Sequence, residues 1–120
     1  MVTANQNPRP DPSAVLGKAV LRAGERLGLS RAELSKALGR DRTSISRSGV
    51  DPDSKAGELA KLLIRCLRSL AVLVDDNESQ IQEWLASPNS HTDGVPRKQI
   101  QTVTGLVTVC AYLDAIRGKV

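Results

Sequence analysis

Between Ser30 and Gly49 the chain has room for little besides a short helix, a sharp turn and a second short helix. Ser30-Arg31-Ala32-Glu33 is a capping box: the serine hydroxyl accepts the Glu33 amide, and the glutamate reaches back to the Ser30 amide. Leu34 and Leu38 share the buried face of this helix, which stops at Gly39. A second helix of about 41–48 starts at Asp41 and buries Ile45, and Gly49 with Asp51-Pro52 ends it. Two helices joined by a glycine-containing turn form a helix-turn-helix, a motif whose second helix can enter the major groove of DNA.

The remainder of the chain is patterned for helices throughout. "TANQNPRPDPS", with Pro8, Pro10 and Pro12, is expected to be a disordered tail covering residues 1–12. Ser13 then caps a first helix of about 14–27, with Leu16, Val20, Ala23 and Leu27 on its apolar stripe and Gly28 at its end. A long central helix of about 55–75 carries Leu59, Leu62, Leu63, Cys66, Leu67, Leu70, Leu73 and Val74. Asn77 and Gln80 cap a helix of about 78–86. Pro88 to Val95 is a loop, "PRKQIQ" a short helix opened by Pro96, and about 104–117 a last helix burying Leu106, Val109, Cys110, Leu113 and Ile116. No segment reads as a strand. The class is all-α: a helix-turn-helix unit over 13–52, then a helical module over 53–120.

The central helix has an apolar stripe wider than one small partner helix covers. It is either a buried central helix or a dimer seam. So small a chain has little bulk to bury it, which favours a homodimer joined through Leu59, Leu63, Leu67 and Leu70.

Charge is divided between the two parts. Residues 1–50 hold nine Lys/Arg against four Asp/Glu, and residues 51–120 hold eight against nine. A basic nucleic-acid module joined to a near-neutral partner module has this asymmetry. With Leu34, Leu38 and Ile45 turned inward, Arg42, Thr43, Ser46 and Arg47 point outward from the second helix of the motif. Arginine can bond guanine bidentately, threonine can touch thymine methyl groups, and hydroxyls can bond phosphate. Arg40 and Ser44 complete the candidate DNA-contact set, and Lys18, Arg31 and Lys36 are further phosphate contacts. Asp41 would repel phosphate unless its carboxylate is occupied as the cap. The bland alternative is a helix-turn-helix that serves only as a scaffold.

Other functions find little support. Trp84 and Tyr112 are the sole aromatics, too few for the stacking platforms of single-strand binders. Cys66 and Cys110 lie in apolar helical patterns and read as small core residues of a reducing compartment. One histidine and two distant cysteines do not have the spacing of a zinc site. His91 reads as a solvated loop residue, and Asp75-Asp76 as a helix end. No catalytic constellation stands out, so neither an enzyme nor a cofactor is expected. The N-terminus has no apolar signal core and no run reaches membrane-spanning length, so the expected location is cytoplasmic, away from membranes.

Two resemblances add to this. "LSRAELSKALGRDRTSISR" resembles the helix-turn-helix of the Xre/Cro-type repressors, with Ser35 where a small alanine is usual and Arg40 where an apolar residue is common. "WLASPNSHTDGVPRKQIQTVTGLVTVCAYLDAIRGKV" resembles the C-terminal toxin-binding domain of the Xre/MbcA/ParS-type antitoxins. It does so at Trp84, Leu85, Pro88, Asn89, Gly94, Pro96, Ile100, Thr102, Gly105, Val109, Tyr112, Leu113, Ile116 and Gly118. The resemblance implies an antitoxin that blocks a RES-domain, NAD-degrading toxin and represses its own operon through promoter DNA. It implies a toxin-binding set of Tyr112 and Leu113 with the tip Arg117, Gly118, Lys119 and Val120, which would enter the path of an anionic cofactor. Trp84 is expected to serve mostly in the core. The competing reading is a stand-alone dimeric repressor whose C-terminal half only dimerises.

Overall fold

The computed structural model describes residues 9–118. Seven helices follow in order: α1 (Pro12–Leu27), α2 (Arg31–Leu38), α3 (Arg42–Ser48), α4 (Lys55–Leu73), α5 (Glu78–Ala86), α6 (Pro96–Gln99) and α7 (Val103–Arg117). Among the described residues no strand forms, and the single β-bridge joins Asn89 to Gly94. The first eight residues of the expected tail lie outside the described residues, as do Lys119 and Val120.

Local chemistry explains the helix ends. Ser30 and Glu33 make both bonds of the capping box, at 3.1 and 2.8 Å. Gly39 closes α2 at φ 69°, in the left-handed region that an L side chain enters only at a cost. Asn77 caps α5 and Thr102 caps α7 through side-chain oxygens. The start of α1 corrects the expectation. Asp11, rather than Ser13, is the cap and accepts the Ser13 amide at 3.0 Å. Pro12 can then occupy the first helical position, where its missing N–H costs nothing. The helix begins at Pro12, inside the span expected to be disordered.

The long helix α4 lies between α1 and α7, with α2 and α5 packed at its flanks. One continuous core runs through all of them, from Val20 and Leu27 on α1 to Leu106 and Leu113 on α7. The leucines expected to join a homodimer are placed inside this core. Leu59, Leu63, Leu67 and Leu70 are buried inside the chain, Leu63 completely. The wide stripe of α4 serves two partner helices, α1 and α7, so no second copy is needed to cover those leucines. Cys66 and Cys110 are buried free thiols. Burial pushes the Cys66 thiol up to about 12 and also raises Cys110, which keeps both protonated and inert.

Candidate functional site

The second helix of the helix-turn-helix is held from beneath and open above. Ile45 is 2 % exposed and anchors α3 to the core. The Asp41 carboxylate accepts the Ser44 amide at 2.8 Å, so it is occupied as the cap. Arg42, Thr43, Ser46 and Arg47 are all exposed, as are Lys18, Arg31 and Lys36 on the neighbouring helices. Arg31 reaches the Thr43 hydroxyl at 3.5 Å, and Arg42 lies 3.6 Å from Glu25. Both contacts are solvent-exposed and weak enough to yield to a phosphate or a base edge.

Arg40 and Ser44 are placed differently from the expectation. Arg40 is half-buried; its guanidinium donates to the Gly49 carbonyl at 2.8 Å and also to the Ser44 hydroxyl. The pair therefore ties the turn before α3 to the turn after it, and neither side chain projects freely from the recognition face. The two departures from the Xre/Cro-type pattern find their reason here. The Ser35 hydroxyl donates to the Arg40 carbonyl at 3.1 Å, an internal polar link across the turn where an alanine and an apolar residue would pack. A close approach that the sequence did not reveal supports α3 from the other side: a Cβ at Gly17 would come 2.9 Å from the Gly49 Cα.

In the C-terminal half three rings stack. Tyr112 stacks with Trp84, with centroids 6.4 Å apart and planes 7° from parallel, and also with His91, at 5.3 Å and 17°. The loop is shaped to hold His91 there. Asn89 and Gly94 bond to each other through their backbones at 2.8 and 3.2 Å. The Asn89 side chain accepts the amides of His91 and Thr92 at 2.8 and 3.2 Å. Trp84 and Tyr112 are half-buried and His91 is exposed, so the stack is an aromatic surface with its base in the core. Trp84 is thus both packing and surface, and His91 is more than a solvated loop residue. Its contact was invisible in sequence because Tyr112 lies twenty-one positions away.

Leu113, expected at the interface, is fully buried. It sits one position beyond Tyr112 and so faces inward, toward α4. Arg117 and Gly118 are exposed at the end of α7, with Arg117 3.5 Å from the Ser69 hydroxyl.

An ion pair joins the two halves of the chain. Arg97, on α6, bonds both Glu33 oxygens at 2.7 and 2.9 Å and also donates to the Gly28 carbonyl at 2.8 Å. Glu33 is at the same time the capping-box carboxylate of α2. The Arg97 hydrogen bonds, with help from the Ser30 amide, hold its pKa at about 2 against an ordinary 4.5. Because the folded value is depressed, the pair's stabilisation is complete above about pH 4.5 and is lost as pH falls through about 2. Arg97→Ala is expected to cost about 1–2 kcal/mol at neutral pH, a figure reduced because the arginine is 36 % exposed. In urea titrations the gap between wild type and variant should narrow steadily below pH 4.5; a gap independent of pH would show that the carboxylate contributes nothing.

Among the described residues no group of three or more His, Cys, Asp or Glu is placed to hold a metal ion. No described helix is long and apolar enough to cross a membrane. No curated protein matches the chain at a significant level. Two protein families do match it. Residues 7–65 match the antitoxin Xre-like helix-turn-helix domain. Residues 69–119 match the antitoxin Xre/MbcA/ParS C-terminal toxin-binding domain. The first match contains α1 to α3 and the exposed recognition face; the second contains the aromatic stack, the Arg97 side of the ion pair and the end of α7. With these two domains in this order, the chain belongs to the Xre/MbcA/ParS-type antitoxins.

Proposed function

We propose that this antitoxin neutralises a RES-type, NAD-degrading toxin and represses its own operon through α3. The observation that carries this reading is the presence of two separate exposed surfaces on one continuous core. One is the exposed basic and hydroxyl face of α3; the other is a half-buried aromatic stack on the same domain as the basic end of α7. The resemblance of residues 84–120 supports a RES toxin as the partner, and a toxin-binding domain disfavours a stand-alone repressor.

The end of α7 is the proposed plug. Arg117 brings a positive charge to an exposed helix end, and Lys119 adds another in sequence. Such an end suits a pocket built for a phosphate-bearing cofactor. Removing residues 117–120 should leave a complex that still forms on a sizing column but no longer prevents NAD consumption. A truncated chain that protects NAD as well as the full chain would show that inhibition comes from the helical surface instead.

On the DNA side, Arg47→Ala or Arg42→Ala is expected to weaken operator binding by roughly 1–3 kcal/mol and relax preference at one base pair. Lys36→Ala should weaken all sequences alike and lower the salt dependence by about one counterion. Gel-shift titrations at several salt concentrations separate the two effects. Indifference to promoter DNA at low salt would reduce the helix-turn-helix to a scaffold.

A further inference from the structure

A second surface lies on the flank shared by α1 and α4. Two adjoining depressions of about 590 and 520 Å³ meet at Ala19, Ile64 and Arg68 and form one groove. It begins at Pro12 and Pro52 and ends at Arg26 and Asp76. That stretch of α1 is about 20 Å long at the helical rise, the length of about four helical turns. Its floor is apolar, built by Leu16, Ala19, Ile64 and Ala71, and the exposed Val15 and Val72 extend it at either end.

The walls are basic. Arg9, Arg22, Lys61 and Arg68 line the groove and make no ion pair among the described residues. The acid within it, Asp76, is already held by Arg26 at 2.6 Å. An apolar floor between cationic walls matches one kind of occupant closely: a helix with an apolar stripe flanked by carboxylates. Small side chains in the floor (Ala19, Ala23 and Ala71) let such a helix approach closely.

We propose that this groove receives an acidic amphipathic helix of about four turns from a different protein. Other occupants fit less well. A second copy of this chain bound groove to groove across a two-fold axis would bring one set of basic walls (Arg22, Lys61 and Arg68) against another, an arrangement of like charges. The chain's own first eight residues, "MVTANQNP", contain no carboxylate side chain to meet the basic walls. Duplex DNA would use the charges but leave the apolar floor against a sugar–phosphate backbone. The groove is also distinct from the recognition face. α1 turns Ala14, Lys18 and Leu21 toward α3, and Val15, Leu16 and Ala19 toward the groove.

The test is a titration of the full chain into a labelled synthetic peptide of about 15 residues. The peptide carries leucines at helical spacing and glutamates beside them, and fluorescence anisotropy reports binding. A matched peptide has lysine at every glutamate. The glutamate peptide should bind at least about tenfold more tightly than the lysine peptide. The double variant R22E/R68E should lose at least that factor; both positions are exposed, so circular dichroism should remain that of the wild type. Val15→Asp should weaken binding without altering the fold. The proposal is overturned by no binding of the glutamate peptide, equal binding of the two peptides, undiminished binding to R22E/R68E, or displacement of the peptide by duplex DNA. A wild-type dimer by light scattering that R22E/R68E dissolves would assign the groove to a second copy instead, and so overturn it as well.

Discussion

Gly105→Ala is expected to destabilise the chain by about 3 kcal/mol or more and to lower the melting temperature by about 10 °C or more. An added Cβ would stand 1.9 Å from the Gln99 carbonyl oxygen and 2.6 Å from the carbonyl carbon. Neither partner can move away easily. The Gln99 carbonyl accepts the Thr102 amide and hydroxyl, both at 3.2 Å, and these bonds form the turn from α6 into α7. The next residue, Ile100, is fully buried. Relief of the clash must therefore displace the start of α7 from the core, and a loss of this size is a large share of a small domain's stability. Gly57→Ala should behave likewise, since its Cβ would meet the Asp51 carbonyl oxygen at 2.1 Å. Gly39→Ala provides the contrast. Gly39 has φ 69° but nothing within 4 Å of the new methyl group, so only the left-handed backbone is penalised, by about 1 kcal/mol. Thermal unfolding of the three variants tests the order. A Gly105→Ala protein that melts with or above Gly39→Ala would contradict the packing described for α6 and α7.

Tyr112→Ala is expected to weaken the toxin complex by about 2–4 kcal/mol, or roughly thirty- to a thousandfold. Tyr112 is the middle ring of the stack, and its loss leaves Trp84 and His91 without a common partner. Aromatic groups at the centre of an interface carry most of its energy because they exclude water over a large rigid area at little entropic cost. Tyr112→Phe keeps the ring and should retain most of the affinity. Leu113→Ala distinguishes surface from core. It should lower stability by about 2–5 kcal/mol through a cavity beside α4, while the fraction that remains folded binds the toxin normally. Calorimetry with toxin and folded variant measures both. A folded Tyr112→Ala chain that holds the toxin as tightly as wild type would remove the stack from the interface.

The contrast between Tyr112 and Leu113 shows where reading the sequence alone fails. Both lie in one apolar helical pattern, and that pattern identifies α7 without saying which neighbour lies over each position. α4 presents the same difficulty on a larger scale. Its stripe was legible, but Leu59, Leu63, Leu67 and Leu70 would look the same against a second copy as against α1 and α7 of the same chain. Arg40 and Ser44 were legible as polar residues beside a recognition helix. Their engagement with each other and with Gly49 depends on a turn geometry that residue types do not encode.

The sequence by itself determined the helices and nearly all their ends, because caps and glycine stops act within four or five residues. Ser30 with Glu33, Asp41 with Ser44 and Asn77 with Gln80 are complete devices in one dimension. It also determined the outward set Arg42, Thr43, Ser46 and Arg47, because Ile45 leaves them no other direction. Tertiary structure decided what α4 packs against, which rings stack, and that Arg97 grips a carboxylate sixty-four positions away. It decided too that Gly57 and Gly105 have no space for a methyl group whereas Gly39 does. Those contacts join residues distant along the chain, and their energies depend on separations of a few ångströms that exist only once the helices have packed.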